Sequence, residues 1–98
     1  MLTLPIKKKW FDMIKSGEKK EEYREIKPYY TARLDNKYVY GDTFEVIFRN
    51  GYSKNSPSIK CLVEFQKDYG HTMWGAELNK IYYVLKILSV EEIKEYEI

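Results

Sequence analysis

Cysteine and histidine are almost missing from this chain of 98 residues, which contains only Cys61 and His71. A single cysteine excludes an internal disulfide. Because zinc centres usually take several cysteine or histidine ligands, the same scarcity excludes a conventional zinc site. We therefore predict neither a metal nor another cofactor. Cys61 alternates with apolar residues and is expected to be a buried, unreactive thiol.

Long apolar runs are missing as well. No segment approaches the roughly 20 apolar residues that span a bilayer, and residues 1–5 lack the apolar stretch of a signal peptide. We therefore expect a cytoplasmic protein without a membrane contact. With 44% hydrophobic residues, the chain is expected to form one domain over residues 1–98, with one thin core.

The net charge of +2 is too small to indicate a partner, but the charges are unevenly distributed. Residues 1–40 contain ten Lys/Arg and six Asp/Glu, whereas residues 41–98 contain seven and nine. A basic first half fits a phosphate-bearing ligand, and it fits an ordinary solvated surface equally well. The acidic tail at 91–98, with four glutamates and one lysine, is a candidate surface for a protein partner.

Hydrophobic periodicity predicts an α+β domain with about five strands and two short helices. Gly17 is placed to end the first helix with a left-handed cap, and Pro28 is placed to begin the second. A small twisted sheet tends to curl into a barrel, which hides its edges. The predicted helix before Gly17 covers 7–16, and the three clear strands cover 43–49, 58–66 and 80–88, each with one apolar face.

The segment from Gly17 to Glu25 is expected to form a strand, yet almost every side chain in it is charged. Alternation places Lys20, Glu22 and Arg24 on one face, and neither face can pack a conventional core. The segment is therefore either an edge strand whose charges discourage aggregation or a strand that lines a cleft, since local rules often fail at functional sites.

Gly17, Lys19, Glu22 and Arg24 fit the pattern G-x-K-x-x-E-x-R, directly after an amphipathic helix. This pattern resembles the signature of ASCH domains, which belong to the PUA-like superfamily. The likeness to the short ASCH proteins of Firmicutes and their phages covers nearly the whole chain. Its further motifs are PYY at 28–30, FRNGY at 48–52, WGAE at 74–77 and YYVL at 82–85.

The resemblance implies a small PUA-like β-barrel of five to six mostly antiparallel strands, with two short helices at its side. It also implies a cleft for RNA, expected to be single-stranded, or for a nucleotide. Family proposals range from RNA binding to enzymes that act on RNA or on modified nucleosides. An RNA- or nucleotide-binding module, a small amidohydrolase- or ribonuclease-like enzyme and a regulator acting through protein contacts all stay open.

The chemistry of the motif suits a nucleotide. Arg24 can bind a phosphate or a base edge with its planar fork, and Lys19 can bind phosphate as a point charge. Glu22 would orient both cations or accept a hydrogen bond from a base amino group. Trp74 is expected either to stack on a base or to seal one end of the core. The full set of predicted binding residues is Gly17, Lys19, Glu22, Arg24, Tyr52, Lys54 and Trp74.

Tyr52 and Lys54 join this set because an aromatic ring beside a cation can stack on a base and hold its phosphate. Their position in the loop at 50–57 is more typical of two solvent-facing residues. Neither is part of the G-x-K-x-x-E-x-R pattern.

The hydrolase alternative depends on Glu22. In ASCH hydrolases that this chain resembles, a threonine at that position, beside the lysine, is the proposed nucleophile on acylated cytidine. Glu22 has no hydroxyl, and Thr31 and Thr43 lie outside the motif. As catalytic residues, Lys19 and Glu22 are therefore left with acid–base roles, and binding is favoured.

The motif charges are also expected to add little to folding. A surface or cleft-wall charge usually changes stability by within about 0.5 kcal/mol. Truncation of a core residue such as Phe65 is expected to destabilise by roughly 3–5 kcal/mol.

Overall fold

The computed structural model describes residues 1–93, so most of the predicted acidic tail lies outside the described residues. Within that range the chain forms five strands and two α-helices. In chain order these are β1 (Leu2–Pro5), α1 (Lys8–Ser16), β2 (Glu21–Arg24), α2 (Pro28–Arg33), β3 (Thr43–Arg49), β4 (Ser58–Tyr69) and β5 (Ile81–Ile93), with a 3-10 turn at Thr72–Trp74.

The five strands form one mixed sheet in the order β1-β3-β4-β5-β2. β1 runs parallel to β3, while the other three pairings are antiparallel. The sheet curls into a half-barrel with β1 and β2 at its two edges. This confirms the prediction of an α+β fold with a curled, mostly antiparallel sheet and two short helices; a PUA-like barrel stays a prediction.

The main core lies on the inner face of the sheet, against α1. Phe11 and Ile14 of α1 are buried there, as is Leu34 after α2. The predicted strand alternation is confirmed for β3 and β4, because their apolar faces are the buried ones. The buried strand residues are Val46 and Phe48 of β3 and Ile59, Cys61, Val63 and Phe65 of β4. Burial raises the pKa of the Cys61 thiol to about 12, as expected of an unreactive cysteine.

β5 departs from the predicted pattern of one apolar face. Tyr83 and Leu85 are buried in the main core, but Tyr82 and Val84, on the opposite face, are buried too. They form a second cluster with Ala76, and Tyr23 packs against it. The residues between β4 and β5 fold back over the sheet, so the first part of β5 is covered on both sides.

β4 and β5 are longer than predicted and pair along their whole lengths. β4 continues to Tyr69 and β5 to Ile93, and one register shift interrupts the ladder between Leu62 and Val63. Each strand satisfies the other's backbone groups, which extends both beyond the end of the alternating pattern. Within residues 1–93, no helix has the length and apolar character needed to cross a membrane.

Candidate functional site

A pocket of about 470 Å³ opens between β1 and β2, the two edges of the half-barrel. Its lining comes from parts of the chain that are distant in sequence. β1, α1, β2, α2 and the connection between β4 and β5 all contribute. Among the lining residues are Pro5, Trp10, Glu22, Arg24, Tyr30 and Trp74.

The turn between α1 and β2 directs Lys19 into the protein. Gly17 ends α1 with φ of +85°, a left-handed conformation that a residue with a Cβ adopts only with strain. The backbone N–H of Gly17 donates to the Ile14 carbonyl, and that of Lys19 donates to the Met13 carbonyl, at 2.9 Å. The predicted role of Gly17 as a helix cap is therefore confirmed. Lys19 is 1% exposed.

The alternation of β2 then buries Glu22 and Arg24 and leaves Glu21 and Tyr23 half-buried on the other side. The Glu22 carboxylate lies between two cations. Its Oε2 accepts from Arg24 Nε at 3.1 Å and from Arg24 Nη2 at 2.6 Å, and its Oε1 is 3.3 Å from Lys19 Nζ. Glu22 therefore pairs with both cations, which fits one of the two roles predicted for it.

Arg24 also connects the two edges of the sheet. Its Nη2 donates to the Pro5 carbonyl of β1 at 2.9 Å, and its Nη1 donates to the Tyr30 hydroxyl of α2 at 3.2 Å. Since Nε and Nη2 are also bound to Glu22, every nitrogen of the guanidinium group has an acceptor within the protein. A ligand phosphate could receive a bidentate fork of Arg24 only if an internal bond, to Glu22 or to Pro5, were broken.

Lys19 lies behind the pocket and is not part of its lining. Its Nζ donates to the Trp74 carbonyl and lies 4.8 Å from the Trp10 ring centroid and 5.0 Å from that of Tyr23. Burial lowers the pKa of Lys19, and the nearby Glu22 carboxylate opposes that shift. A carboxylate, a carbonyl and two aromatic faces thus enclose the ammonium group.

Aromatic rings and exposed charges complete the pocket. Trp10, Tyr30 and Trp74 present apolar surface beside the polar network. The exposed residues Lys7 and Lys27 add positive charge at the opening, while Glu25 and Glu77 add negative charge. The arrangement can hold a flat, partly polar ligand by stacking and can hydrogen-bond to its edge.

The predicted site residues divide into two groups. Glu22, Arg24 and Trp74 line the pocket, and Lys19 supports it from behind. Gly17, Tyr52 and Lys54 do not line it, and Tyr52 is 94% exposed. The role of Tyr52 and Lys54 as ligand contacts stays a prediction that the position of the pocket does not support.

Trp10, Tyr30 and the Pro5 carbonyl were not predicted as site residues. Trp10 belongs to the apolar stripe of α1, and it both packs against the core and lines the pocket. Tyr30 belongs to the PYY motif, which was the one available indication. No sequence pattern indicates that Pro5 accepts from Arg24, because that contact depends on how the sheet curls.

Within residues 1–93, no group of three or more His, Cys, Asp or Glu side chains is arranged to hold a metal ion. The chain matches no family model, no curated protein and no solved structure. The ASCH resemblance therefore stays a prediction that depends on the motif residues themselves.

Proposed function

We propose that the pocket between β1 and β2 binds a nucleotide, either free or as one unit of a single-stranded RNA. The observation that supports this best is that five aromatic residues, among them Trp10, Tyr30 and Trp74, line one pocket together with the Glu22–Arg24 pair. Aromatic faces stack on bases of any sequence, and a few fixed polar groups orient the base. A volume of about 470 Å³ is within the usual range for small-molecule sites.

The internal pairing of the motif assigns different parts of the ligand to different residues. Glu22 and Arg24 bind each other, so they are suited to the edge of a base rather than to a phosphate. Lys7 and Lys27 are exposed at the opening, where they can hold a phosphate without losing an internal partner in a buried network. The base would then enter the pocket and the backbone would stay at its rim.

Intrinsic fluorescence provides a direct test, because both tryptophans of the chain line the pocket. Nucleoside monophosphates and a short single-stranded RNA are titrated at two salt concentrations. We expect a saturable change in emission, and RNA binding that weakens with salt through counterion release. The absence of binding at low salt, or RNA binding that does not change with salt, would contradict the proposal.

Two lysine variants locate the phosphate. Lys27→Ala is expected to weaken RNA binding and to reduce its salt dependence, since one cation at the opening is lost. Lys37→Ala removes another exposed lysine, which does not line the pocket, and it should leave binding unchanged. Equal effects of the two changes would indicate a general charge attraction instead of a site.

A hydrolase is the second candidate, and the lowered pKa of Lys19 beside Glu22 favours it. A lysine with a lowered pKa can act as a base or a nucleophile near neutral pH. Because Lys19 is enclosed, we expect acylated cytidine to be turned over poorly or not at all when followed by chromatography. If acylated cytidine is turned over rapidly and Glu22→Ala abolishes the turnover, the main function is catalysis and not binding.

A further inference from the structure

Residues 70–79, here called the wall loop, form one side of the pocket through Trp74, Gly75 and Glu77. Two tyrosines fix the ends of this loop. The His71 N–H donates to the Tyr23 hydroxyl at 2.9 Å, and the Glu77 N–H donates to the Tyr82 hydroxyl at 3.0 Å. The middle of the loop is held by Lys19, whose Nζ donates to the Trp74 carbonyl at 2.5 Å.

Close backbone packing shows that the position of the wall loop is tightly defined. A Cβ on Gly75 would lie 3.0 Å from Cζ2 of Trp10, and the φ of Gly75 is +101°. A Cβ on Gly70 would lie 2.7 Å from Cζ of Tyr23. The loop therefore rests directly on side chains of α1 and β2, and a small displacement would change the shape of the pocket.

Lys19 differs from the two tyrosine contacts because it touches the wall loop and the site carboxylate at once. The same Nζ that binds the Trp74 carbonyl lies 3.3 Å from Glu22 Oε1. The Lys19 side chain is 0% exposed, so a ligand in the pocket does not reach it in this arrangement. An ammonium group with three donors on a long stem is suited to joining two such acceptors.

We propose that Lys19 is a positioning residue, which holds the wall loop against Glu22 and thereby sets the shape of the pocket without touching the ligand. This rests on the proposed nucleotide-binding function. It assigns Lys19 a role different from the phosphate contact that the motif predicts. Removal of the ammonium group should release the loop first and weaken binding as a consequence.

Lys19→Met tests the proposal, since it keeps the length of the side chain and removes its donors. Amide hydrogen exchange follows the wall loop, where the N–H groups of His71, Trp74 and Glu77 are hydrogen-bonded. We expect these amides to exchange at least about tenfold faster and the nucleotide affinity to fall about tenfold or more. Lys20→Met, which removes the neighbouring exposed lysine, should change neither quantity.

A spectroscopic measurement separates loop release from a general loss of stability. In a Trp10→Phe background Trp74 is the remaining tryptophan, so acrylamide quenching reports on the wall loop alone. Quenching should increase in Lys19→Met at temperatures where the protein stays folded. Unchanged quenching and exchange would overturn the proposal, and lost affinity with an unchanged loop would show that Lys19 contacts the ligand.

A second variant keeps the test decisive if Lys19→Met does not fold. Gly75→Ala strains the loop and presses on Trp10 while Lys19 stays in place. Amine acylation followed by mass spectrometry should find Lys19 protected relative to Lys20 in the unmodified protein and more reactive in Gly75→Ala. Equal labelling of the two lysines, or no response to Gly75→Ala, would overturn the proposal.

The loop measurements need no ligand. They therefore decide the role of Lys19 even if no nucleotide binds. If the proposed function is wrong, the fluorescence of the unmodified protein will not change when nucleotide or RNA is added. If this inference is wrong, hydrogen exchange and quenching in the wall loop will not change in Lys19→Met.

Discussion

β2 and β4 both bury every second side chain, but they bury opposite kinds of residue. β4 directs Ile59, Val63 and Phe65 into the main core, whereas β2 buries Glu22 and Arg24. Apolar burial stabilises in proportion to area and needs no particular partner. A buried charge is tolerated only where its partners are placed correctly, so β2 determines which groups meet and β4 supplies stability.

The partners of β2 show what this arrangement achieves. Arg24 reaches β1 through Pro5 and α2 through Tyr30, and Glu22 connects it to Lys19. Buried ion pairs often add little net stability, because desolvation offsets most of the attraction. The charges of β2 are therefore better explained by the pocket that they organise than by the energy that they contribute.

The largest effect is expected when the apolar strand is damaged. Phe65 is 0% exposed and packs against Phe44 and Tyr83. Phe65→Ala should lower the free energy of unfolding by roughly 3–5 kcal/mol, measured by urea denaturation. Leu62→Ala on the same strand is the control, because Leu62 is 36% exposed and should destabilise far less. Equal effects would mean that β4 does not separate a core face from an outer face.

A smaller but still large effect is expected from Glu22→Ala. This change leaves Lys19 and Arg24 buried without their shared anion. The loss should be roughly 3 kcal/mol, at the lower end for a broken buried ion pair, because Lys19 can release its proton. Glu25→Ala, which removes an exposed glutamate one residue beyond β2, should change the free energy of unfolding by about 0.5 kcal/mol or less. If Glu22→Ala lowered the free energy of unfolding as little as Glu25→Ala, water must hydrate Lys19 and Arg24 in place of the lost carboxylate.

Sequence patterns predicted the apolar strands well because their evidence is local. Alternation identified the buried faces of β3 and β4, and Gly17 marked the end of α1. The burial of the opposite face of β5 could not be predicted, since it depends on the wall loop, whose Ala76 packs there. Ile81, predicted on the apolar face of its strand, is 42% exposed because it lies at the first position of β5.

β2, the strand with buried charges, shows the limit of the same reasoning. Its position and its central carboxylate were predicted, but the burial of its charges was not. Lys19, Glu22 and Arg24 are each less than a tenth exposed, so removal of one of these charges is expected to cost more than the surface value predicted from the sequence, because its partners stay buried and unpaired. Their partners at Pro5 and Trp74 are backbone carbonyls, which leave no trace in a residue pattern.

Alkaline pH should change the stability contributions of Cys61 in β4 and of Lys19, just before β2, in opposite directions. Burial raises the pKa of Cys61 in β4 from 9.0 to about 12, so above pH 9.0 the unfolded thiol loses its proton first. Stability from Cys61 is complete below pH 9.0 and should fall by up to about 1.4 kcal/mol per pH unit towards pH 12. Burial lowers the pKa of Lys19 from 10.5, so its contribution rises with pH below that value, because the unfolded state then holds more protons.

Urea denaturation at about pH 8 and about pH 10 separates these contributions. Cys61→Ala should reduce the loss of stability between the two conditions, and Lys19→Met should increase it. The range stops near pH 10 because burial also raises the pKa of Tyr23, which would add its own loss at higher pH. A Cys61→Ala variant that loses as much stability as the unmodified protein would show that the thiol is not the group responsible.

The smallest effect is expected in the loop that leads into β4. Tyr52 and Lys54 were predicted to contact the ligand, yet they are exposed and do not line the pocket, whereas Tyr30 does and accepts from Arg24. Tyr52→Ala combined with Lys54→Ala should leave nucleotide affinity within about twofold and stability within about 0.5 kcal/mol. Tyr30→Ala should weaken binding by roughly 5- to 150-fold, the loss expected for one stacked base.

Tyr30→Phe then separates the ring from its hydroxyl. It keeps the stacking surface and removes the acceptor of Arg24 Nη1, so it should bind more tightly than Tyr30→Ala. All variants are compared by fluorescence titration, and circular dichroism checks their folding. If the Tyr52 and Lys54 changes weaken binding as much as Tyr30→Ala, the ligand must extend along the loop before β4. The residues of β2 and its partners would then no longer be sufficient to define the site.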